Sequence, residues 1–236
     1  MVTVDFKKLG IKPGYKILDI GCGQGRHTAS AFRYKRAFVM GADLNFSDLC
    51  KARDRLMFHK YAGEYDEGQW GLSVSDITHL PFKDHFFDIV ICSEVLEHIP
   101  DDKKAASELV RVLKKGGKLV VSVPRYLPEK ICWSLSDDYF LVNQGHIRIY
   151  KKKAMQALLE NAGVRTWASH YAHSIHTPYW WLRCLSGPTR NDVKLVNLYK
   201  RFLDWDTLQQ PRISHFLDRL LNPLIGKSVV FYTRKE

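Results

Sequence analysis

The sequence predicts an α/β fold in which a mostly parallel sheet is covered by helices on both faces. Short apolar runs typical of buried strands lie at residues 15–20, 37–42, 71–74, 87–92 and 118–123. Between several of these runs lie longer segments whose apolar residues recur at helical spacing. Because parallel strands need crossover connections, usually helices, this alternation favours a parallel sheet.

Two predicted helices lie between these strands. Residues 46–58 and 101–113 each carry apolar side chains three or four positions apart. Asp101 suits the amino terminus of the second helix, where the helix dipole favours negative charge. Gly116 and Gly117 are predicted to end that helix, because glycine commonly follows the last helical residue.

The second half of the chain has a different pattern. It is predicted to contain an irregular aromatic segment at 124–150, a helix at 151–161 and strands at 166–171 and 228–233. The stretch between these two strands is too long for a hairpin loop and contains two helical patterns. We interpret residues 172–227 as an inserted helical cap, because the last strand returns to the core. Residues 1–236 would then form a single domain.

Composition sets broad limits on the class of protein. At 236 residues the chain is long enough for one well-buried core and short for two full domains. Its five cysteines show no metal-binding spacing, so free thiols in a reducing compartment such as the cytoplasm are expected. No apolar run approaches the roughly 20 residues of a membrane-spanning helix.

The net charge of +11 favours an anionic partner or surface. The basic residues are distributed over several predicted helices, and the sequence contains no recognisable nucleic-acid-binding motif. A solvated basic surface is therefore the preferred interpretation, and a nucleic-acid partner is not expected.

Three alternating glycines follow the first predicted strand. Gly21, Gly23 and Gly25 lie where this strand turns into a helix, and glycines at such a turn let a ligand approach the backbone closely. The position that would complete the dinucleotide-binding pattern GxGxxG is Arg26, so that pattern fails at its last glycine. By itself the loop is compatible with any strand-to-helix turn of an α/β fold.

An acidic residue strengthens the interpretation of this loop as a ligand site. Asp43 closes the second strand about 20 residues beyond the loop, where an acidic side chain can accept hydrogen bonds from ribose hydroxyls. The alternative is that Asp43 caps the next helix, a role that Asn45 or Ser47 would serve equally well.

Five blocks of sequence resemble the class I S-adenosylmethionine-dependent methyltransferases, in the small-molecule branch that includes ubiquinone and menaquinone biosynthesis enzymes. The blocks are LDIGCGQG, GADL, SDITHLPF, FDIVICSEVLEHI and LVRVLKKGGKLVVSVP, and they cover residues 15–124 almost continuously. A weaker match extends to about residue 164, and the cap is not covered. The resemblance implies a Rossmann-like sheet of seven strands in the order 3-2-1-4-5-7-6, with the seventh strand antiparallel. It also makes residues 1–124 the cofactor-binding half, and residues 125–150 and 172–227 the acceptor side.

The resemblance also implies a role for each cofactor-site residue. The residues expected to surround the methionine moiety of S-adenosylmethionine are Asp19, Gly21, Cys22, Gly23 and Gly25. Around the nucleoside, Asp43 is expected to hydrogen-bond the ribose and Asp76 to hydrogen-bond the adenine amino group. Leu44 and Ile77 are expected to pack against the adenine ring. Ser93, at the end of the fourth strand, would lie beside the cofactor through its backbone.

The chemistry needs few further groups. A sulfonium methyl is already activated, so the protein mainly has to align acceptor, methyl carbon and sulfur. A base is needed only if the acceptor must lose a proton, and His98 and His146 are the candidates. Glu94, Glu97 and His98 form an ExxEH pattern that also invites a metal interpretation, but a complete site would need further ligands, and no metal is expected.

Three functions remain open from the sequence. The preferred one is methylation of a small, apolar or aromatic acceptor such as a quinone, terpenoid or lipid-like molecule. The alternatives are an RNA methyltransferase, suggested by the charge, and a non-catalytic binding protein with the same fold. Peripheral contact with an anionic membrane is a further hypothesis. It involves the cap residues Phe202, Leu203, Phe216 and Leu220 beside Arg201, Arg212 and Arg219.

Overall fold

A seven-stranded sheet forms the centre of the molecule. The structure, a computed structural model, describes residues 2–34, 36–63, 68–139, 145–209 and 211–236. The strands are β1 (Lys16–Ile20), β2 (Phe38–Asp43), β3 (Gln69–Val74), β4 (Phe87–Ser93), β5 (Leu113–Pro124), β6 (Val164–Ala172) and β7 (Ser228–Lys235).

The strands follow the order β3-β2-β1-β4-β5-β7-β6, which confirms the predicted order. β1 to β5 pair in parallel, whereas β7 is antiparallel to both of its neighbours, β5 and β6. Ser228 at the start of β7 pairs with Ala172 at the end of β6 and with Pro124 at the end of β5. The cap therefore leaves and re-enters the sheet at the edge where the parallel strands end, the edge at which open α/β sheets bind ligands.

Apolar side chains cover both faces of the sheet and form two cores. Neighbouring strand residues alternate between them, with Leu18 and Val90 in one core and Ile17 and Ile89 in the other. Burial on both faces explains why the strands read as continuous apolar runs in the sequence.

Helices pack on the sheet or form the cap. They are α1 (Arg26–Phe32), α2 (Phe46–Tyr61), α3 (Asp102–Val112), α4 (Tyr126–Leu135), α5 (Lys152–Asn161), α6 (Thr177–Ser186), α7 (Lys194–Gln209) and α8 (Arg212–Ile225). Short 3₁₀ segments lie at Phe6–Leu9, Leu96–His98 and Ser174–His176. Within the described ranges, no helix combines the length and the apolarity that crossing a bilayer would require.

The predicted helix end at Gly116 and Gly117 is wrong. α3 ends earlier, at Val112, and both glycines lie within β5. Gly116 has a φ of 72°, and the pairing of β5 with β4 is irregular near this point. The glycines therefore accommodate a distortion near the start of a strand, a role that glycine also serves.

Two helices lie where the sequence does not predict regular structure. α4 occupies part of the segment 124–150 predicted to be irregular, and α6 precedes the two helical patterns of the cap. Cys132 of α4 and Cys184 of α6 are buried together with Tyr139. Short helices depend on such tertiary packing, which is not visible in local periodicity. Residues 140–144 of the predicted irregular segment lie outside the described residues.

Candidate functional site

The glycine loop connects β1 to α1 in a conformation that requires glycine. Gly21 and Gly25 have φ values of 67° and 73°, in the left-handed region that other residues avoid. A Cβ atom on Gly21 would lie 2.2 Å from Cγ2 of Val95, and one on Gly25 would lie 2.9 Å from Cβ of Ala52. At Gly23, in contrast, no atom lies within 4 Å of an added Cβ. The loop is packed tightly against the protein at its two ends and is open at its centre.

Asp43 faces this open centre of the loop. Its Oδ2 accepts a hydrogen bond of 2.7 Å from the backbone N–H of Gly23, and its Oδ1 accepts one of 2.8 Å from the N–H of Asn45. Asn45 is the residue that caps α2, since its side chain accepts hydrogen bonds from the backbone of Ser47 and Asp48. The helix-cap alternative for Asp43 is therefore wrong. A carboxylate has further acceptor sites, and those of Asp43 remain suited to ribose hydroxyls.

Asp19 and Cys22 lie beside the loop and are buried. The Oδ2 atom of Asp19 accepts a hydrogen bond of 2.6 Å from the Thr28 hydroxyl. Burial raises the pKa of Asp19 to about 7, and the charge of Asp43 acts in the same direction. Burial also raises the pKa of the Cys22 thiol, which is therefore uncharged. A cationic ligand group near Asp19 would favour its ionised form, as a sulfonium or ammonium group would.

The residues predicted to contact adenine follow β2 and β3. Asp43 and Val74 pair at the ends of these strands, so Leu44 and Asp76 both lie just beyond the carboxyl ends of neighbouring strands. The Leu44 side chain is 63% exposed and is available to a ring. Oδ1 of Asp76 accepts two hydrogen bonds of 2.8 Å, from the backbone and hydroxyl of Thr78, and these bonds lower the pKa of Asp76. The Ile77 side chain is buried in the core, so its contact with adenine stays a prediction.

Ser93 ends β4 and begins a chain of polar contacts. Its hydroxyl lies 2.7 Å from the Ser122 hydroxyl, which donates a hydrogen bond of 3.0 Å to Oε1 of Glu94. Glu94 has a φ of 56°, a strained conformation for a residue other than glycine. Such strain is concentrated at functional sites, where the surrounding structure holds it in place.

The two candidate bases, His98 and His146, come together next to buried carboxylates. Their ring centroids lie 4.7 Å apart. Nδ1 of His146 lies 2.7 Å from Oε1 of Glu129, and its Nε2 lies 4.0 Å from Oε1 of Glu97. Glu129 is not among the site residues predicted from the sequence, because it lies on α4, within the segment predicted to be irregular. We call Glu94, Glu97, His98, Glu129 and His146 the acid–histidine cluster.

The carboxylates of this cluster have different electrostatic environments. Glu97 is 1% exposed, and neither of its oxygens has a hydrogen-bond partner among the residues that the structure describes. Burial, together with the charge of Glu94, raises its pKa well above the usual range. Burial acts on Glu129 in the same direction, but the hydrogen bond with His146 and the charge of Lys227 outweigh it and lower the pKa of Glu129. The surroundings of His146 therefore raise the pKa of Glu97 and lower that of Glu129.

Part of the cluster has the composition of a metal site. One ligand atom from each of Glu97, His98 and His146 lies within 4.8 Å of the others. Nδ1 of His146 contacts Glu129, and its Nε2 is the ring nitrogen on the side of Glu97. These residues could hold a divalent ion, or they could form a proton-exchanging group without one.

Comparison with known proteins identifies the family. Residues 18–121 match the family model described as "Methyltransferase domain". This segment contains the glycine loop, Asp43, Asp76 and His98. Together with the sheet order, the match identifies residues 18–121 as a domain of the class I S-adenosylmethionine-dependent methyltransferase kind.

Among the relatives is the ubiquinone/menaquinone biosynthesis C-methyltransferase UbiE of Vibrio vulnificus (strain YJ016). It is 37% identical over 114 residues, which are 48% of this chain and 42% of that protein. Methyltransferase GfsG of Streptomyces halstedii is 34% identical over 117 residues, or 50% of this chain and 40% of that protein. Each match spans less than half of the relative's length.

The fold likeness extends further than the sequence likeness. A crystal structure of an S-adenosylmethionine-dependent methyltransferase from Methanosarcina mazei has a TM-score of 0.63 with this chain at 16% identity. The alignment covers 100% of this chain and 99% of that one, so it includes the cap. At this low identity the likeness concerns the fold alone.

Proposed function

We propose that this protein transfers a methyl group from S-adenosylmethionine to a small, apolar or aromatic acceptor. The observation that carries the proposal is the position of the Asp43 carboxylate. It accepts a hydrogen bond from the N–H of Gly23, and it does not cap α2. The match of residues 18–121 to a methyltransferase domain supports the same donor. When bound, S-adenosylmethionine supplies an activated methyl group that is displaced in line by the acceptor.

The cofactor is proposed to lie along the carboxyl ends of β1, β2 and β4. Asp19 and the open backbone at Gly23 would face its methionine part, and Asp43 would accept hydrogen bonds from its ribose. Leu44 and Asp76 would border its adenine, and the backbone of Ser93 would lie beside it. The contribution of these residues is orientation, since positioning supplies most of the rate enhancement in a displacement of this kind.

The acid–histidine cluster is proposed to bind and deprotonate the acceptor. Glu129 contacts Nδ1 of His146 and fixes the orientation of the ring, with Nε2 on the side of Glu97 as the proposed proton acceptor. Next to the cluster, Cys132, Tyr139 and Cys184 are buried with Trp180 and Trp181 packed against them. This packing makes the surroundings of the cluster largely apolar, which suits an apolar or aromatic acceptor. The name of UbiE refers to quinone biosynthesis, and quinones belong to this chemical class.

Transfer of labelled methyl groups tests the proposed function. The protein is incubated with S-adenosylmethionine carrying a tritiated methyl group, and with separate panels of quinols and phenols, isoprenoid lipids, and total RNA. Label is expected in the organic phase with one of the first two panels. Label in RNA would favour the RNA methyltransferase alternative. Cofactor binding without transfer to any panel would favour a binding protein.

Exhaustive chelation is expected to leave this methyl transfer intact. The sulfonium methyl is already activated, so the proposed transfer needs alignment of donor and acceptor rather than a cation. The measurement is turnover after dialysis against EDTA, with magnesium, manganese and zinc added back singly as controls. Activity that EDTA abolishes and one of these ions restores would identify the cluster as a metal site instead.

A further inference from the structure

The two longest helices of the cap turn large apolar side chains outward. On α7 these are Leu195, Leu198, Phe202, Trp205 and Leu208, and on α8 they are Ile213, Phe216, Leu217, Leu220 and Leu224. We call these ten residues the outer face. Leu208, Ile213 and Phe216 are 79%, 76% and 65% exposed. Amphipathic helices normally bury such a face against the core, so its exposure indicates a partner.

Polar contacts hold α8 in this orientation. The Ser174 hydroxyl donates a hydrogen bond of 2.8 Å to Oδ1 of Asp218, and the N–H of Ile175 donates one of 3.1 Å to the same atom. The N–H of Ser174 donates a hydrogen bond of 2.9 Å to Oδ1 of Asn222. The polar side of α8 therefore packs on the protein. As a result, the helix cannot rotate its apolar side inward without breaking these bonds.

Basic residues accompany the outer face. On the described residues of α7 and α8, Lys194, Lys200, Arg201, Arg212 and Arg219 are exposed, whereas Asp204 is the single exposed acidic residue. Apolar side chains next to an excess of positive charge have the composition of helices that lie in the interface of an anionic membrane.

We propose that the outer face docks onto the surface of an anionic lipid bilayer. A second copy of the chain would set five exposed basic residues against five others, with only Asp204 of each copy among the described exposed residues of α7 and α8 to compensate them. Lipid headgroups supply that negative charge. Trp205, which is half exposed, has the amphipathic ring that is enriched at the boundary between lipid and water.

A row of aromatic rings connects the outer face to the acid–histidine cluster. Tyr139 donates a hydrogen bond of 3.2 Å to Oε2 of Glu129, and its ring is in edge contact with that of Trp180. From there, neighbouring ring centroids are 5.5 to 6.2 Å apart along Trp180, Tyr179, Tyr199, Phe202 and Trp205. This row of contacting rings links the outer face by direct packing to Glu129, and the relevance of that link to the acceptor rests on the proposed function.

Co-sedimentation with vesicles tests the docking. The full chain is mixed with vesicles of phosphatidylcholine alone or with about one third phosphatidylglycerol, at low and at high salt. Binding is expected with the anionic vesicles at low salt and should weaken as salt screens the charges. Binding that is equally strong with neutral vesicles, or absent from both, would overturn the proposal.

Matched variants separate the apolar and charged contributions. Phe216→Asp and Leu220→Asp are each expected to weaken vesicle binding about tenfold or more, because each replaces an inserted apolar side chain with a charge. Arg201→Gln and Arg212→Gln should each weaken it about fivefold. Phe58→Asp and Arg53→Gln change exposed residues of α2 and are the controls, so binding should not change. Loss of binding in the controls equal to that in the cap variants would contradict docking through the outer face.

Two further measurements distinguish this proposal from its alternatives. Calorimetric titration with S-adenosylmethionine checks that each variant is folded, and it tests the proposed function separately from docking. Sedimentation velocity without lipid reports the oligomeric state. A stable dimer that Phe216→Asp dissociates, with no vesicle binding by the unchanged protein, would assign the outer face to a second copy and overturn the membrane proposal.

Discussion

Replacing His146 with asparagine is expected to lower the rate of methyl transfer by about 10²- to 10⁴-fold, the usual contribution of a positioned general base. His146 is buried, and its Nδ1 contacts Glu129 at 2.7 Å. Asparagine keeps a polar group near Glu129 but cannot accept a proton at pH 7. The expected loss is in turnover with the acceptor found by methyl labelling, whereas the affinity for S-adenosylmethionine should change little.

Two companion variants make this prediction specific. Glu129→Gln removes the charge that orients His146, so it should lower turnover less than His146→Asn and should also change the pH dependence of the rate. His98→Asn tests the second candidate base and is expected to have the smaller effect of the two histidine variants. A full loss in His98→Asn with near-normal turnover in His146→Asn would make His98 the base. Thermal melting of each variant checks that the buried cluster remains folded.

Replacing Asp43 with alanine is expected to weaken the binding of S-adenosylmethionine by roughly tenfold to a hundredfold, equivalent to about 1–3 kcal/mol. The change removes the acceptor proposed for the ribose hydroxyls. It also removes the acceptor of the 2.7 Å hydrogen bond from the N–H of Gly23, which faces the open centre of the loop. Both losses act on cofactor binding, and calorimetric titration measures them directly.

Asn45→Ala is the matched control for this variant. It removes the cap of α2, and such a loss typically costs about 1 kcal/mol of stability. Its thermal midpoint should therefore fall, while its affinity for S-adenosylmethionine stays close to that of the unchanged protein. A dissociation constant that Asp43→Ala leaves unchanged would remove Asp43 from the cofactor site.

Much of the fold follows from local sequence patterns. The strands of the sheet are buried on both faces, so they read as apolar runs, and the alternation with helices implies parallel connections. The positions of the glycine loop and Asp43 are likewise visible, because the loop and the strand end have strong local signals. The order of the seven strands came from the family resemblance, and the structure confirms it.

The acid–histidine cluster was only partly predictable. The sequence predicts His98 and His146 as candidate bases. It does not predict the contact between their rings, because that contact depends on how the chain returns across the end of the sheet. Glu129 has no local signal, since it lies on a short helix that is stabilised by packing against α6. The roles assigned to the cofactor residues from the resemblance remain predictions, to be tested by the binding measurements above.

The two long helices of the cap show where local sequence patterns stop being informative. The spacing of apolar residues predicts that the segments forming α7 and α8 are amphipathic, because this spacing is a local property. It did not determine which side faces the protein, since burial depends on partners elsewhere in the chain. The hydrogen bonds of Ser174 and Ile175 with Asp218 decided this for α8, turning Phe216 and Leu220 outward. The sequence predicts membrane contact for four apolar residues of the cap. Leu203 is buried, whereas Phe202, Phe216 and Leu220 are exposed.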